Sequence, residues 1–102
     1  MSMPKSVTIL SVVYAVDVVS PDSGEGATLK AAGTLGKCDY VNRRIIIVDG
    51  EQPADMLQTL LHEMVHATLD MLGMHGDWGE GQVTAFAAVY TDALLRNKMV
   101  VP

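Results

Sequence analysis

Two of the three histidines in this 102-residue chain lie four positions apart, and a glutamate directly follows the first, so that the motif reads His62-Glu63-x-x-His66. Residues i and i+4 are neighbours on a helix surface, where two imidazole nitrogens can bind one metal ion in the tetrahedral geometry that zinc prefers. Glu63 would lie about 100° around the helix, beside the open coordination position. A metal lowers the pKa of a bound water toward ~7, and Glu63 could take its proton. The motif therefore predicts metal-dependent hydrolysis of an amide bond.

A solvated helix is the simpler alternative, in which the three motif residues share a polar face and bind nothing. The chain contains only three histidines and four glutamates, so the motif is improbable by chance. We therefore favour a metal site, and we keep the solvated helix as the alternative.

Other residues must supply the remaining metal ligand, and four acidic or imidazole side chains follow the motif: Asp70, His75, Asp77 and Glu80. Asp70 lies one turn beyond His66 and suits a hydrogen bond to the second ring nitrogen of that histidine. His75 follows on a loop and could supply a nitrogen donor. Asp77 and Glu80 have the spacing of a helix N-cap and its capping glutamate, which is the structural alternative for both. The residues alone leave the third ligand open.

The helix that would carry the motif is marked at both ends. Pro53 suits a first helical position and Gly73 a position just past the last, so we expect a helix from Pro53 to Leu72. Polar side chains on it follow one arc of roughly 100°. That arc comprises Asp55, Thr59, His62, Glu63, His66 and Asp70. Leucine, methionine and valine occupy most of the remaining surface, which indicates an amphipathic helix.

A second helix is predicted from about Asp77 to Asn97. Its expected buried residues are Val83, Phe86, Ala87, Tyr90 and Leu94. Tyr90 and the loop residue His75 are also candidates to stabilise negative charge on a substrate oxygen. A buried helical tyrosine and a loop histidine are equally explained by packing.

The N-terminal half has the β-branched composition of strands. We expect one long strand, a polar loop, one helical turn and two short strands. These elements cover Val7 to Val19, residues 20–26, residues 27–33, residues 34–41 and residues 44–49. The last two strands would form a hairpin with its turn at Asn42-Arg43. Lys5 and the apolar run after it imitate a signal peptide, but Asp17 interrupts the run and no small-x-small cleavage site follows.

Composition restricts the partners and predicts one domain. The chain is 49% apolar and carries a net charge of −5, with seven basic residues scattered along it. This is unlike a nucleic-acid-binding protein, which concentrates basic charge on one surface. No apolar stretch approaches the ~20 residues of a membrane span. The single cysteine, Cys38, cannot form an internal disulfide, which fits a reducing compartment such as the cytoplasm.

Several segments together resemble a known family. The His62-Glu63-x-x-His66 motif resembles that of the zincin metallopeptidases. Residues 35–97 look like the short metallopeptidases encoded by phages and prophages, distant relatives of the ImmA/IrrE type. The matching segments are the hairpin sequence GKCDY, the helix sequence LLHEMVHA and a following helix with an acidic residue ahead of an FAA segment. The resemblance implies a minimal zincin-like α+β domain, with a small sheet packed on the motif helix and a second C-terminal helix.

The resemblance also implies a ligand set. In families of this kind the third ligand is usually a glutamate on the next helix, which corresponds to Glu80 here, with His75 as the alternative. One Zn²⁺ per chain would then be bound. The chain departs from the metzincin pattern, which places a ligand where this sequence has Leu72. It also departs from the peptide deformylases, which use a cysteine ligand, because the residues around Cys38 lack the deformylase pattern; a buried strand position suits Cys38 better.

The expected function is therefore zinc-dependent hydrolysis of a protein or peptide substrate, with Glu63 as general base. The alternative is a metal-binding or adaptor module that retains the fold but hydrolyses nothing. Zincin-like enzymes generally bind a peptide as an added strand at a sheet edge, and residues 43–49 form the strand closest in sequence to the motif helix. The isoleucines of that strand would equally suit a central position in the sheet.

Overall fold

Four strands and three helices make up residues 3–100, the part of the chain that the computed structural model describes. In chain order they are β1 (Ser6–Ile9), β2 (Val12–Val19), α1 (Gly24–Ala31), β3 (Gly36–Asp39), β4 (Arg44–Val48), α2 (Pro53–Met71) and α3 (Glu80–Arg96). The predicted α+β class is confirmed. Helix α2 begins at Pro53 as predicted and ends within one residue of Leu72, where Gly73 adopts a φ of +69° that suits glycine.

The four strands form one mixed sheet in the order β1-β2-β4-β3. Strand β4 is parallel to β2 and antiparallel to β3, so it lies in the interior of the sheet. The expectation that residues 43–49 offer an open edge is therefore wrong. Ile45 and Ile46 face opposite sides and both are buried, which only a strand covered on both faces allows. The edge strand on this side of the sheet is β3.

The N-terminal segment forms a hairpin, and the prediction of one long strand is wrong. Strands β1 and β2 are antiparallel, and Ile9 pairs with Val12. Leu10 and Ser11 make the tight turn between them, with φ of +48° and +70°. A two-residue turn preserves the alternation of apolar residues, and neither turn residue is the glycine or asparagine that usually marks such a turn. The alternation of apolar and polar residues therefore continues through the turn, which is why the sequence gives no sign of it.

The hairpin of β3 and β4 is confirmed, although its turn is longer than predicted. Asp39 pairs with Arg44, which leaves a connection of residues 40–43. The carboxylate of Asp39 accepts hydrogen bonds from the backbone N–H of Asn42 at 3.1 Å and from its side-chain amide at 2.9 Å. Asp39 therefore closes the turn, in the way that aspartate commonly does.

Helix α1 is longer than the single predicted turn and begins inside the predicted loop. The Ser23 side chain caps it by accepting the N–H of Gly26 at 3.1 Å. Arg44 of β4 joins this helix to the sheet, because it donates to Asp17 of β2 at 2.7 Å and to Glu25 of α1 at 3.3 Å. Helix α1 lies beside Ile46, whose side chain points away from α2.

Helix α2 covers the other face of the sheet, and α3 packs on α2. The core between sheet and helix contains Tyr14, Val16, Ile45, Ile47, Leu60 and Ala67. Between the two helices, α3 buries Val83, Ala87 and Thr91. The predicted arrangement of a small sheet on the motif helix with a second helix beside it is thus observed. No helix in the 3–100 range is long and apolar enough to cross a membrane.

Helix α3 departs from its prediction in its start and in its buried face. It begins at Glu80 with Gly79 as N-cap, three residues later than the predicted start at Asp77. The backbone N–H of Gly79 donates to the side-chain oxygen of Gln82 at 2.8 Å, so Gln82 is the capping residue of this helix. Glu80 does not have the capping role that was its structural alternative. Phe86 and Tyr90 were expected to be buried, and they are exposed because α3 contacts the protein along one narrow face only.

Candidate metal centre

The two motif histidines occupy consecutive turns of α2, and the Nε2 atoms of their rings face each other. His62 Nε2 and His66 Nε2 are 3.2 Å apart, and both side chains are largely buried. Their spacing on the helix produces this approach, because i and i+4 side chains stack one above the other. Two nitrogen donors therefore face one small volume.

Glu80 completes the group from the first residue of α3. Its two carboxylate oxygens lie 2.5 Å from His62 Nε2 and 3.2 Å from His66 Nε2. One donor atom from each of the three residues lies within 4.8 Å of the others, and no other set of three His, Cys, Asp or Glu side chains in residues 3–100 is arranged in this way. The Glu80 side chain is 69% exposed, so the group opens toward solvent on that side.

The other candidate ligands lie outside this group. Asp70 is exposed, and within the described part of the chain no hydrogen bond joins it to either imidazole. His75 packs edge-on against Tyr40, with ring centroids 5.4 Å apart. Asp77 makes a turn contact through its backbone N–H to Met74 at 2.9 Å. The structure therefore brings together His62, His66 and Glu80, and it leaves Asp70, His75 and Asp77 out.

Cys38 is likewise separate from the three donor atoms. It lies on β3, half-buried against the core. Burial raises the pKa of its thiol to about 12, and the nearby carboxylates of Glu63 and Asp70 add to that rise. A thiol that stays protonated at neutral pH is a poor metal ligand. Cys38 lies on a strand as predicted, but it is half-buried where a buried position was expected.

Glu63, the central residue of the motif, is the buried carboxylate of the site. Only 6% of the residue is exposed. The sequence pattern placed it on a polar face, but edge strand β3 crosses directly above it at Gly36. A side chain at position 36 would put its Cβ 3.1 Å from Glu63 Oε2 and 2.6 Å from Thr59 Cγ2. The absence of a side chain at Gly36 is what lets the strand cover the glutamate.

The electrostatic state of Glu63 follows from this burial. Loss of hydration raises the pKa of the Glu63 carboxyl to about 7, and repulsion from Glu80 contributes to the rise. No side-chain hydrogen bond within residues 3–100 involves the Glu63 carboxylate, and since no fully buried side-chain oxygen in that range lacks a partner, its oxygens reach the open cleft described below. The Glu63 carboxylate is therefore able to accept a proton from a group in the cleft.

Burial also determines the charge of His66. Loss of hydration lowers the pKa of its imidazole, and this outweighs the neighbouring Glu80 carboxylate, which raises it. His66 is consequently neutral at physiological pH. Metal binding requires a neutral imidazole, so this environment favours a ligand role.

An open cleft runs along α2 and β3 past the three donor atoms. It consists of two adjoining hollows, of about 320 Å³ and about 410 Å³, which share Thr34, Gly36, His62, Glu63 and Glu80. The first hollow extends toward Glu51 and Asp55 at the start of α2, and the second toward Lys37, Tyr40 and His75. We call these the Glu51 end and the Tyr40 end of the cleft.

The two residues nominated to stabilise substrate charge have different positions. His75 lines the Tyr40 end of the cleft. Tyr90 lies on the outward face of α3, 49% exposed and stacked on Phe86 with ring centroids 4.5 Å apart, and it lines neither hollow. The expectation that Tyr90 reaches the site is therefore wrong.

Sequence reasoning assigns no role at the site to Gly36 and Tyr40, although both lie in the GKCDY segment that carries the family resemblance. For Gly36 a signal exists, because a glycine inside a strand pattern commonly marks a close backbone approach. Tyr40 lies in the hairpin turn beside His75, and burial raises the pKa of its hydroxyl to about 12, which keeps it a hydrogen-bond donor. No signal in the sequence connects Tyr40 with residues of α2.

The donor set fits a zinc ion in number and chemistry. Two neutral imidazole nitrogens and one carboxylate are a common catalytic ligand set for Zn²⁺, which leaves the fourth position for water or substrate. The chain matches no protein-family model, no curated protein and no solved structure. The resemblance to zincin metallopeptidases therefore stays a prediction, and the function has to be argued from this geometry.

Proposed function

We propose that this protein is a zinc-dependent peptidase that works in the cytoplasm of a bacterium or of a phage-infected host. His62, His66 and Glu80 would hold one zinc ion. The observation that carries the proposal is the convergence of three donor atoms beside Glu63, a largely buried residue whose carboxylate faces the cleft and accepts no side-chain hydrogen bond within residues 3–100. A carboxyl group whose pKa is raised by burial in a cleft is typical of functional sites.

Each residue of the site would have its own role in hydrolysis. Zinc, when bound, would act as a Lewis acid that lowers the pKa of a water molecule. Glu63 would take up a proton on its carboxylate from the attacking water and pass it to the leaving amine, and a pKa of about 7 suits a group that both accepts and gives up a proton at neutral pH. Gly36 keeps bulk water from Glu63 by covering it with the strand backbone. Tyr40 and His75 supply hydrogen-bond donors at the other end of the cleft.

Edge strand β3 offers a docking position for the peptide beside Glu63. The N–H of Val48 donates to the carbonyl of Leu35 at 2.9 Å. In an antiparallel pair, residues that hydrogen-bond to the partner strand alternate with residues whose N–H and C=O groups point away from it. Leu35 bonds to β4, so the N–H and C=O groups of Gly36 and Cys38 point away from β4. No strand within the described residues pairs with that edge. A peptide added there would pass over the cleft with its backbone hydrogen-bonded to Cys38. To reach Gly36 as well, it would displace the Thr34 hydroxyl, which donates to the Gly36 carbonyl at 3.0 Å and accepts from the Gly36 N–H at 3.4 Å.

A metal-binding adaptor without catalysis is the second candidate function. An exposed aromatic cluster at α3 favours it: Phe86 and Tyr90 are exposed and stack on each other, and the half-buried Trp78 packs edge-on against Phe86. Exposed apolar clusters of this kind commonly mark contacts with other proteins. An adaptor would use zinc for stability, and Glu63 would have no chemical role.

Substitution of Glu63 by glutamine separates the two functions. In a peptidase, Glu63→Gln keeps the shape and the zinc but removes the proton acceptor, so cleavage of a proteome-derived peptide library should fall by at least about 100-fold. Zinc content is measured on the same samples. Absence of cleavage by the zinc-loaded wild type would favour the adaptor, and equal cleavage by wild type and Glu63→Gln would refute the proposed mechanism.

A further inference from the structure

The two ends of the cleft differ in charge. Glu51 and Asp55 line one end together with Gln58, and no lysine or arginine lines that hollow. The Tyr40 end instead contains Lys37 and His75 and no acidic residue beyond the shared Glu63 and Glu80. A peptide lying along the cleft therefore meets negative charge on one side of the donor atoms only.

The charge at the Glu51 end is not neutralised by the protein. The ion pairs formed within residues 3–100 involve the carboxylates of Asp17, Glu25, Glu80 and Asp92. Glu51 forms none of them. Asp55 accepts the Thr59 hydroxyl through its backbone carbonyl at 3.1 Å, and its carboxylate has no hydrogen-bond or ion-pair partner within the described part of the chain.

A second feature of the cleft indicates that it receives a ligand with hydrogen-bond donors. Glu63 lines both hollows, is only 6% exposed, and accepts no side-chain hydrogen bond among residues 3–100; its oxygens reach the cleft, since no fully buried side-chain oxygen in that range lacks a partner. A buried carboxylate in an acidic environment is stabilised by an occupant that brings N–H groups or positive charge. Acidic ligands are repelled, and the net charge of −5 strengthens that repulsion.

We propose that the Glu51 end of the cleft is a binding subsite for a cationic side chain, lysine or arginine, of the peptide that the site receives. This rests on the proposed peptidase function, because it assigns the class of substrate. Glu51 and Asp55 bind the ammonium or guanidinium group, while the backbone of the peptide lies along β3. The protein selects basic side chains at the Glu51 end of the cleft, whereas the Tyr40 end adds no further carboxylate to bind them.

The test is a titration of zinc-loaded Glu63→Gln protein, which by the proposed mechanism binds peptide without cleaving it. The probes are uncharged ten-residue peptides of glycine, alanine and serine with blocked ends, which carry one lysine, one norleucine or one glutamate at the same position. Binding is followed by the backbone amide signals in two-dimensional NMR, which measure weak affinities and locate the contact. The charge variant adds Glu51→Gln and Asp55→Asn. Its matched control adds Asp22→Asn and Asp92→Asn, which remove the same charge outside the cleft.

The lysine peptide should bind about three- to tenfold more tightly than the norleucine peptide, as expected for two partly exposed ion pairs. The ratio of these two dissociation constants is the quantity compared between variants. The shifted signals should include residues 51–59, and the ratio should shrink as salt is added. The ratio should fall to about one in the charge variant and persist in the control. Because the ratio is measured within each variant, a general loss of stability does not change it.

The same titration of zinc-free wild-type protein keeps the two proposals apart. A lysine preference that persists there, in a protein that cleaves nothing when loaded with zinc, would refute the peptidase function and leave the cationic subsite standing. Equal binding of lysine and norleucine peptides, an unchanged ratio in the charge variant, or no binding of any peptide at millimolar concentration would each overturn the subsite.

Discussion

The substitution Gly36→Ala adds one methyl group where β3 passes close to α2, and it tests that approach. A Cβ added there would lie 2.6 Å from Thr59 Cγ2 and 3.1 Å from Glu63 Oε2, well inside ordinary van der Waals distance. Overpacking of this kind costs about 1–3 kcal/mol. The backbone at Gly36 is ordinary strand, so alanine also restricts the unfolded chain and recovers about 0.4–1 kcal/mol. Gly36→Ala should therefore lower the free energy of unfolding by about 1–2 kcal/mol.

Urea denaturation measures this loss, and the melting temperature should fall by roughly 5–15 °C. The matched control is Gly81→Ala on α3, where nothing lies within 4 Å of the added Cβ. Alanine is the better helix former, so the control should be unchanged or slightly more stable.

Thr59→Ser provides the second half of the test, because serine lacks Cγ2 and keeps the hydroxyl that donates to Asp55. The double variant Gly36→Ala/Thr59→Ser should recover most of the lost stability, since the closest contact is gone. Peptide cleavage should be impaired in the single and in the double variant alike, because the added Cβ lies 3.1 Å from Glu63 Oε2 in both. A Gly36→Ala protein as stable as wild type, or a double variant no more stable than the single one, would refute the close approach of β3 to α2.

Three further predictions concern the metal and the sheet. Glu80→Gln should weaken zinc binding by more than about 100-fold in a titration of metal-free protein, whereas His75→Ala should change it little; the reverse order would assign the ligand to His75. A chelator should lower the melting temperature, because zinc at 1,000 times its dissociation constant stabilises the folded state by ~4 kcal/mol; an unchanged transition would contradict a bound metal. In hydrogen exchange, the amides of residues 44–48 should be protected as interior strand, while that of Cys38, which faces the open edge, should exchange quickly. Uniform protection across both strands would show that the β3 edge is covered.

Much of the motif helix could be predicted from the sequence, because its signals are local. Pro53 and Gly73 mark its ends through backbone preferences of single residues, and His62 and His66 share a face because of helical periodicity alone. The choice of Glu80 came from resemblance to a family, and the geometry is compatible with it. Local patterns failed where a turn leaves no signal, as at Leu10-Ser11, whose residues continue the alternation of the strands on either side.

Only the tertiary structure decided what surrounds the motif. Strand order placed β4 inside the sheet and left β3 at the edge, and this order depends on pairing between segments distant in sequence. The passage of Gly36 over Glu63 buried a residue that periodicity assigned to a polar face. The docking of α3 along a single face brought Glu80 to the histidines and left Tyr90 in solvent. Periodicity reports which side of a helix is polar, whereas burial and pKa depend on which other segment packs there, and that is determined by the free energy of the whole fold.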